Sequence, residues 1–258
     1  MNQKTIIRTV KGSGNGGHII TPKEWVNGIV EVKLINNPIN IEKDLLEILK
    51  QNLSSIIGIY LSGSYARKDQ TSESDIDVLV ITDKLNKKII NGKYEILLIS
   101  EEEIKKTLKE NIIPLLPMLM EANPIINFSL LQKLKDTKIT KKNLTSCLSH
   151  IKSSMKINKG LIDLNESYLG DSIAYSLILG LRSVYIINNL INHNSWNNTD
   201  LKQLIKKISG SLTSYEGYLR VKGNKKKEKE LPIEEARKLY EYIIKNIEEQ
   251  EKWIKRKG

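Results

Sequence analysis

Hydrophobic positions between Ser55 and Ser100 come in short unbroken runs, the pattern of buried strands rather than of amphipathic helices. "SIIGIYLSGS" ends in a turn, "DIDVLVIT" follows, and "YEILLIS" (Tyr94 to Ser100) comes after a predicted turn, "LNKKIINGK". Ahead of these runs, Ile41, Leu45, Leu46, Ile48, Leu49 and Leu53 recur at helical spacing and predict one buried helix face. Ser100 with Glu103 forms a capping-box signal for a helix over about 101–110. Pro114, Pro117 and Pro124 then limit the chain to short elements as far as about Asn127.

From Thr140 the period is helical. "LTSCLSHIKSSMKINKGLIDL" and "YLGDSIAYSLILGLRSVYIINNLI" are long, and the second is apolar nearly all round, which places it at the centre of a bundle. "TDLKQLIKKI" is a shorter helix with Thr199 expected at its cap, and "LPIEEARKLYEYIIKNIEEQEKWIKRK" opens with Pro in its first turn. At the other end, two β-patterned runs, Ile6–Val10 and Ile29–Ile35, flank a glycine-rich turn, "GSGNGG", and a "PKEW" turn. So little apolar surface cannot build a core of its own, so this segment must dimerise, swap strands or pack on its neighbour. Asn36-Asn37-Pro38 reads as a linker. The expected organisation is an α+β chain: a β segment over 1–36, an α+β domain over 40–137 and a helical domain over 138–258.

Composition narrows the class. The chain has 258 residues, enough for a sizeable core, and no apolar run uninterrupted over the roughly 20 residues a bilayer span needs. The N-terminal residues lack the apolar stretch of a signal peptide. Cys147 is the single cysteine, which excludes an internal disulfide and fits a reducing cytoplasm. With His18, His150 and His193 far apart, no zinc pattern exists. The net charge of +11 is unevenly placed: residues 1–36 carry +3, residues 37–137 carry −2 and residues 138–258 carry +10. An acidic middle between basic flanks suits carboxylates that hold metal beside a surface that attracts a polyanion; lysine-rich helices that only confer solubility account for it equally well.

The chemistry concentrates in "GSYARKDQTSESDID". Residues two apart on a strand share a face, so Asp75 and Asp77 project together. Two like charges there disfavour ionisation unless a cation lies between them, and hard oxygen donors suit magnesium. Glu95, near the start of the next strand, is placed to add a third carboxylate, or to be a solvent-facing strand residue. Three carboxylates can hold two metal ions, one acting on a hydroxyl and one on a triphosphate. Gly63 lets the backbone approach a phosphate, Ser64 offers a hydroxyl, and the N–H groups of a following helix start favour an anion. Arg67 is either a phosphate ligand or an ion-pair partner.

This combination resembles the polymerase-β-type nucleotidyltransferase superfamily, especially its minimal and kanamycin-nucleotidyltransferase-like members. The resemblance implies a mixed β-sheet with flanking helices, and attack of a hydroxyl acceptor on the α-phosphate of a nucleoside triphosphate, most plausibly ATP. It implies that Gly63 and Ser64, with Arg67 and Lys68 nearby, bind the nucleotide, and that Asp75, Asp77 and Glu95 are catalytic and ligate Mg2+ (or Mn2+). Many members have glycine where this chain has Lys68, and the third acid is usually aspartate. "YLGDSIAYSLILGLRSVYIINNLI" is similar to the helical bundles that follow the catalytic domain in small archaeal relatives. Within it Arg182 needs an anionic ligand or an ion pair with Asp171 or Glu166, and "YEGYLRVKGNKKKEKE" is either an anion contact or a solvated loop. The N-terminal "KGSGNGGHIITPKEW" resembles swapped-hairpin DNA-binding segments of the AbrB/MazE type, which implies a homodimer and, with Arg8, Lys11 and Lys23, contact to DNA; a hairpin that only dimerises is the alternative. Minimal members are often antitoxins of toxin–antitoxin pairs that modify a partner protein with AMP, while others modify RNA ends or aminoglycoside-like small molecules. The rival reading is a non-catalytic DNA-binding regulator that senses nucleotide. No ribonuclease-type Arg-His motif is present in the bundle.

Overall fold

Residues 5–33, 39–71, 74–113 and 115–257 are described by a computed structural model. The expected linker at Asn36–Pro38 and the break at Pro114 lie outside them. The chain divides into two units, Met1–Asp44 and Leu45–Gly258.

In the first unit the strands fall elsewhere than expected. The hairpin is made by the glycine-rich stretch itself: β1 (Lys11–Ser13) pairs antiparallel with β2 (Gly16–His18), turning at Gly14 with φ +55°. Residues 6–10 and 29–33 form no strand. Ile7, Val10, Ile29, Val30 and Val32 are all exposed, and among the described residues no strand edge pairs with these runs. A helical turn at Lys23–Trp25 follows Pro22.

The second unit begins within α1 (Ile41–Ile48). Of the predicted helix face, Leu45 and Leu49 are buried; Leu46, one position round the helix from Leu45, is exposed, and so is Leu53, because α1 stops at Ile48 and a tighter 3-10 turn over Lys50–Ser55 changes the period. A five-stranded sheet follows, built from β3 (Ile56–Leu61), β4 (Ile76–Thr82), β5 (Lys87–Asn91), β6 (Tyr94–Ser100) and β7 (Asn123–Ile126), in the order β5-β6-β4-β3-β7. From Val78 to Thr82 every residue of β4 is buried, as a central strand covered on both faces requires. β4 and β6 are parallel and in continuous register from Ile76↔Tyr94 to Thr82↔Ser100; the other neighbours are antiparallel. The segment expected as a turn contains β5. Its lysine-rich sequence hides it, yet lysines are what an edge strand tolerates, and Gly92 (φ +56°) closes a two-residue hairpin onto β6.

Helices cover the sheet: α2 (Gly63–Arg67), α3 (Glu101–Glu110), α4 (Leu116–Glu121) and α5 (Phe128–Lys135). Ser100 caps α3 by accepting the Glu103 N–H at 3.2 Å, as its sequence signal predicts. α6 (Lys141–Asp163) starts at a Thr140–Asn143 capping box, and the Asn143 side chain also donates to Leu108 O of α3 at 3.0 Å. A short β8 (Tyr168–Leu169) leads into α7 (Asp171–Ile191), then α8 (Asn198–Ser209), α9 (Thr213–Lys222), β9 (Leu231–Pro232) and α10 (Ile233–Lys257). The cap of α8 is Asn197, which accepts the Asp200 N–H at 2.8 Å, and not Thr199, which lies inside the helix. Among the described residues α7 is the one helix long and apolar enough to cross a membrane; 56% of that stretch is buried against other helices, which accounts for its composition. One core runs from Tyr60 and Leu79 of the sheet through Leu148 and Met155 to Ile243 and Ile247 of α10.

Two features lock α9 to α7. A Cβ on Gly217 would lie 2.8 Å from Asp171 Oδ1 and 2.9 Å from the Ala174 Cβ, so only glycine permits this crossing. Asp171, buried at the first turn of α7, accepts two hydrogen bonds from Arg220 at 2.8 and 2.9 Å and one from the Glu228 N–H at 3.0 Å. Asp171 and Glu166 are thereby taken by Arg220 and Lys229, and the alternative that either pairs with Arg182 is overturned. The Arg220 hydrogen bonds, helped by the Glu228 N–H, outweigh burial and hold the Asp171 carboxyl below its ordinary value.

Asp171→Asn is expected to destabilise the protein by on the order of 2 kcal/mol in urea unfolding at neutral pH. Because the folded pKa is depressed, the contribution is complete above the unfolded carboxylate value of about 4 and vanishes as pH falls through the folded value. The gap between wild type and variant should therefore close on acidification.

Candidate active site

The site is built on the β3–α2–β4 connection. After β3, Ser62 ties the turn to the next strand: its N–H donates to Asp77 O at 2.9 Å and its hydroxyl to the same oxygen at 3.4 Å. Gly63 then adopts φ +65°. A Cβ there would sit 2.9 Å from Asp77 Cγ and well inside contact with Oδ2. Glycine is thus needed twice, for its backbone angle and for the close approach of the Asp77 carboxylate. α2 ends at Arg67, and Lys68 follows in the left-handed region (φ +62°) with its side chain exposed. The left-handed angle explains why glycine suits this position.

The three predicted acids lie at one end of the sheet. Parallel pairing sets Asp77 directly beside Glu95 across β4 and β6. Asp75 lies just ahead of β4 and is exposed. Partial burial pushes the Asp77 carboxyl upward; the Lys222 ammonium opposes this, while Glu95, Asp75 and Glu121 reinforce it. Glu95 turns to Lys88 on β5, with Nζ to Oε2 at 2.6 Å, and that carboxylate together with Asp77 and Asp75 holds the Lys88 ammonium above its ordinary value. Among the described residues no group of three or more His, Cys, Asp or Glu side chains is drawn together closely enough to hold a metal ion. The donor types nonetheless suit a hard divalent cation: Asp77 and Glu95 are paired in register and Asp75 stands just ahead of β4, all offering carboxylate oxygens.

The other half of the site carries positive groups. The Gly63 N–H donates to Glu121 Oε1 at 3.0 Å, and Arg67 Nη1 to Glu121 Oε2 at 2.6 Å; Arg67 also reaches Asp69 at 3.3 Å. Arg67 is therefore ion-paired, and Glu121 was not legible as a site residue because its sequence neighbourhood, "MLMEANP", reads only as a short helix end. The Ser64 side chain is half-buried beside this pair. The helical segment supplies Lys222, whose charge acts on Asp77, and Tyr215, whose hydroxyl burial pushes upward with Tyr218, Arg182 and Asp69 nearby. Tyr175 stacks on Tyr218 with centroids 5.4 Å apart, Tyr215 lies 5.8 Å from Tyr218, and the Lys202 ammonium sits 5.1 Å above Tyr215. Arg8, Lys11 and Lys23 belong to the first unit, all exposed.

Residues 42–141 match the family model of a nucleotidyltransferase domain. A curated protein of Methanocaldococcus jannaschii, named "Putative protein adenylyltransferase", is 43% identical over 83 residues, which cover 28% of this chain and 80% of that relative. This chain belongs to the polymerase-β-type nucleotidyltransferase family. It is a nucleotide-binding transferase, and the α+β fold with a mixed sheet agrees with that assignment. Two solved structures show a weaker likeness. The spectinomycin adenyltransferase from Enterococcus faecialis is 15% identical, covering 80% of this chain and 98% of that one with a TM-score of 0.45. A nucleotidyltransferase-like protein from Exiguobacterium sibiricum is 13% identical, covering 82% and 76% with a TM-score of 0.37.

Gly63→Ala in this nucleotidyltransferase is expected to displace Asp77 and to lower pyrophosphate release by at least about a hundredfold, as a small misplacement of a reacting group does. Lys68→Gly is expected to raise stability by about 1 kcal/mol through relief of the left-handed conformation. Thermal unfolding reports that gain, and a simultaneous fall in nucleotide affinity would mark Lys68 as a phosphate contact.

Proposed function

We propose that the enzyme transfers AMP from ATP to a hydroxyl group on a protein, in the manner of an antitoxin that modifies its partner. The observation that carries this reading is the register pairing of Asp77 with Glu95 beside the glycine turn at Gly63. The adenylyl donor and protein acceptor are supported by the name of the Methanocaldococcus relative, most of whose length is matched. In this reading the Gly63 N–H, the Ser64 hydroxyl and Arg67 hold the β- and γ-phosphates, with Lys222 approaching from the helical side and exposed Lys68 at the rim. Asp75, Asp77 and Glu95 hold Mg2+ or Mn2+. When bound, the metal neutralises triphosphate charge and makes the acceptor hydroxyl more acidic.

The residues themselves orient the reaction. An acceptor oxygen bonds to the α-phosphorus, the bond to the bridging oxygen breaks, and pyrophosphate leaves toward Gly63 and Arg67. Glu95, oriented by its contact with Lys88, is placed to take the hydroxyl proton. Tyr215, whose hydroxyl feels the Asp69 carboxylate, and Tyr218 beside it form a wall against which the acceptor or the base packs.

For the N-terminal segment we infer a homodimer in the cytoplasm, since seven apolar side chains from Ile7 to Val32 are exposed in one copy. Arg8, Lys11 and Lys23 are then the candidates for DNA contact. A nucleotide-sensing regulator without activity is the alternative, which this acid set disfavours.

Incubation with α-labelled ATP, CTP, GTP or UTP, magnesium and cell extract is expected to move label from ATP to protein. Asp77→Asn should lower transfer by about a thousandfold or more, the scale of losing transition-state charge stabilisation. Label on small molecules or RNA overturns the protein acceptor; transfer that survives Asp77→Asn and Asp75→Asn overturns the site.

A further inference from the structure

Glu121 ends α4 in the place where the proposed mechanism puts substrate phosphate. Both its oxygens are used, one on the Gly63 N–H and one on Arg67, and its side chain and that of Arg67 are only 12% and 11% exposed. A fourth carboxylate near Asp75, Asp77 and Glu95 is unfavourable in itself, and it adds to the upward push on Asp77. What it provides is an acceptor for two donors that would otherwise be half-buried without one. The Gly63 N–H has a single proton, so it cannot serve Glu121 and a phosphate oxygen together. The remaining Arg67 contacts go to Asp69.

We propose that Glu121 is an internal stand-in for the triphosphate, seated on the Gly63 N–H and the Arg67 guanidinium until the nucleotide displaces it. The inference rests on the triphosphate placement proposed above. It keeps the phosphate cradle formed when no nucleotide is present, and makes the carboxylate a competitor that sets nucleotide affinity. Displacement needs only rotation of the side chain. The backbone beyond it is fixed, because Ala122 is buried and the Asn123 side chain donates to Ala66 O at 2.9 Å.

The test is calorimetric titration of wild type, Glu121→Gln and Glu121→Ala with a non-hydrolysable ATP analogue, inorganic tripolyphosphate and adenosine, each with Mg2+. The variants should bind the analogue and tripolyphosphate about tenfold more tightly, the scale of one charge-assisted hydrogen bond no longer broken, with adenosine affinity unchanged. Analogue binding that is equal or weaker in the variants, while wild type binds, overturns the stand-in role alone. Binding by none of the three proteins overturns the triphosphate placement and this inference with it. A crystal structure of wild type with the analogue gives a readout independent of variant folding: Glu121 turned away from Gly63 supports the displacement, and both contacts intact overturn it.

Discussion

The approach of the Gly63 backbone to the Asp77 carboxylate is the contact on which the site depends. It fixes the turn after β3 against the start of β4, with Ser62 binding the same strand through two hydrogen bonds to Asp77 O. Once that turn is set, α2 is aimed, and the Gly63 N–H and Arg67 both face Glu121. The parallel register of β4 with β6 then fixes Glu95 beside Asp77 with no further instruction. One missing methyl group thus brings the anion-holding half of the site within reach of the acidic half.

The helical segment contributes through its rigidity. α9 is pinned to α7 by the Asp171–Arg220 pair and by the absence of a side chain at Gly217, and Lys222 lies two residues beyond Arg220 at the end of α9. A structural ion pair at one point of the helix therefore sets where a cation arrives near Asp77. Charge segregation along the chain has its local counterpart here: acidic strands meet a cation from the basic helices.

The sequence was most legible where chemistry is written in adjacent residues. The apolar runs, the long helices and the acid spacing all follow from short-range periodicity, and β3, β4, β6, α6 and α7 lie where those patterns place them. It was least legible where structure depends on partners distant along the chain. β5 is a polar edge strand whose existence depends on β6; Glu121 reaches Gly63 across more than fifty residues; the partner of Asp171 is Arg220 and not the nearer Arg182. In the N-terminal segment the β-patterned runs are not strands, since pattern alone supplies no neighbouring edge.

The order of strands has a bearing on biosynthesis. The sheet's centre, β3, β4 and β6, comes from one contiguous stretch, while α9 with Lys222 follows long afterwards. A ribosome releases the N-terminal portion first. The nascent chain therefore presents its clustered acids before the helix that moderates them has emerged, and Lys88, arriving between β4 and β6, is the counter-charge already at hand during that interval.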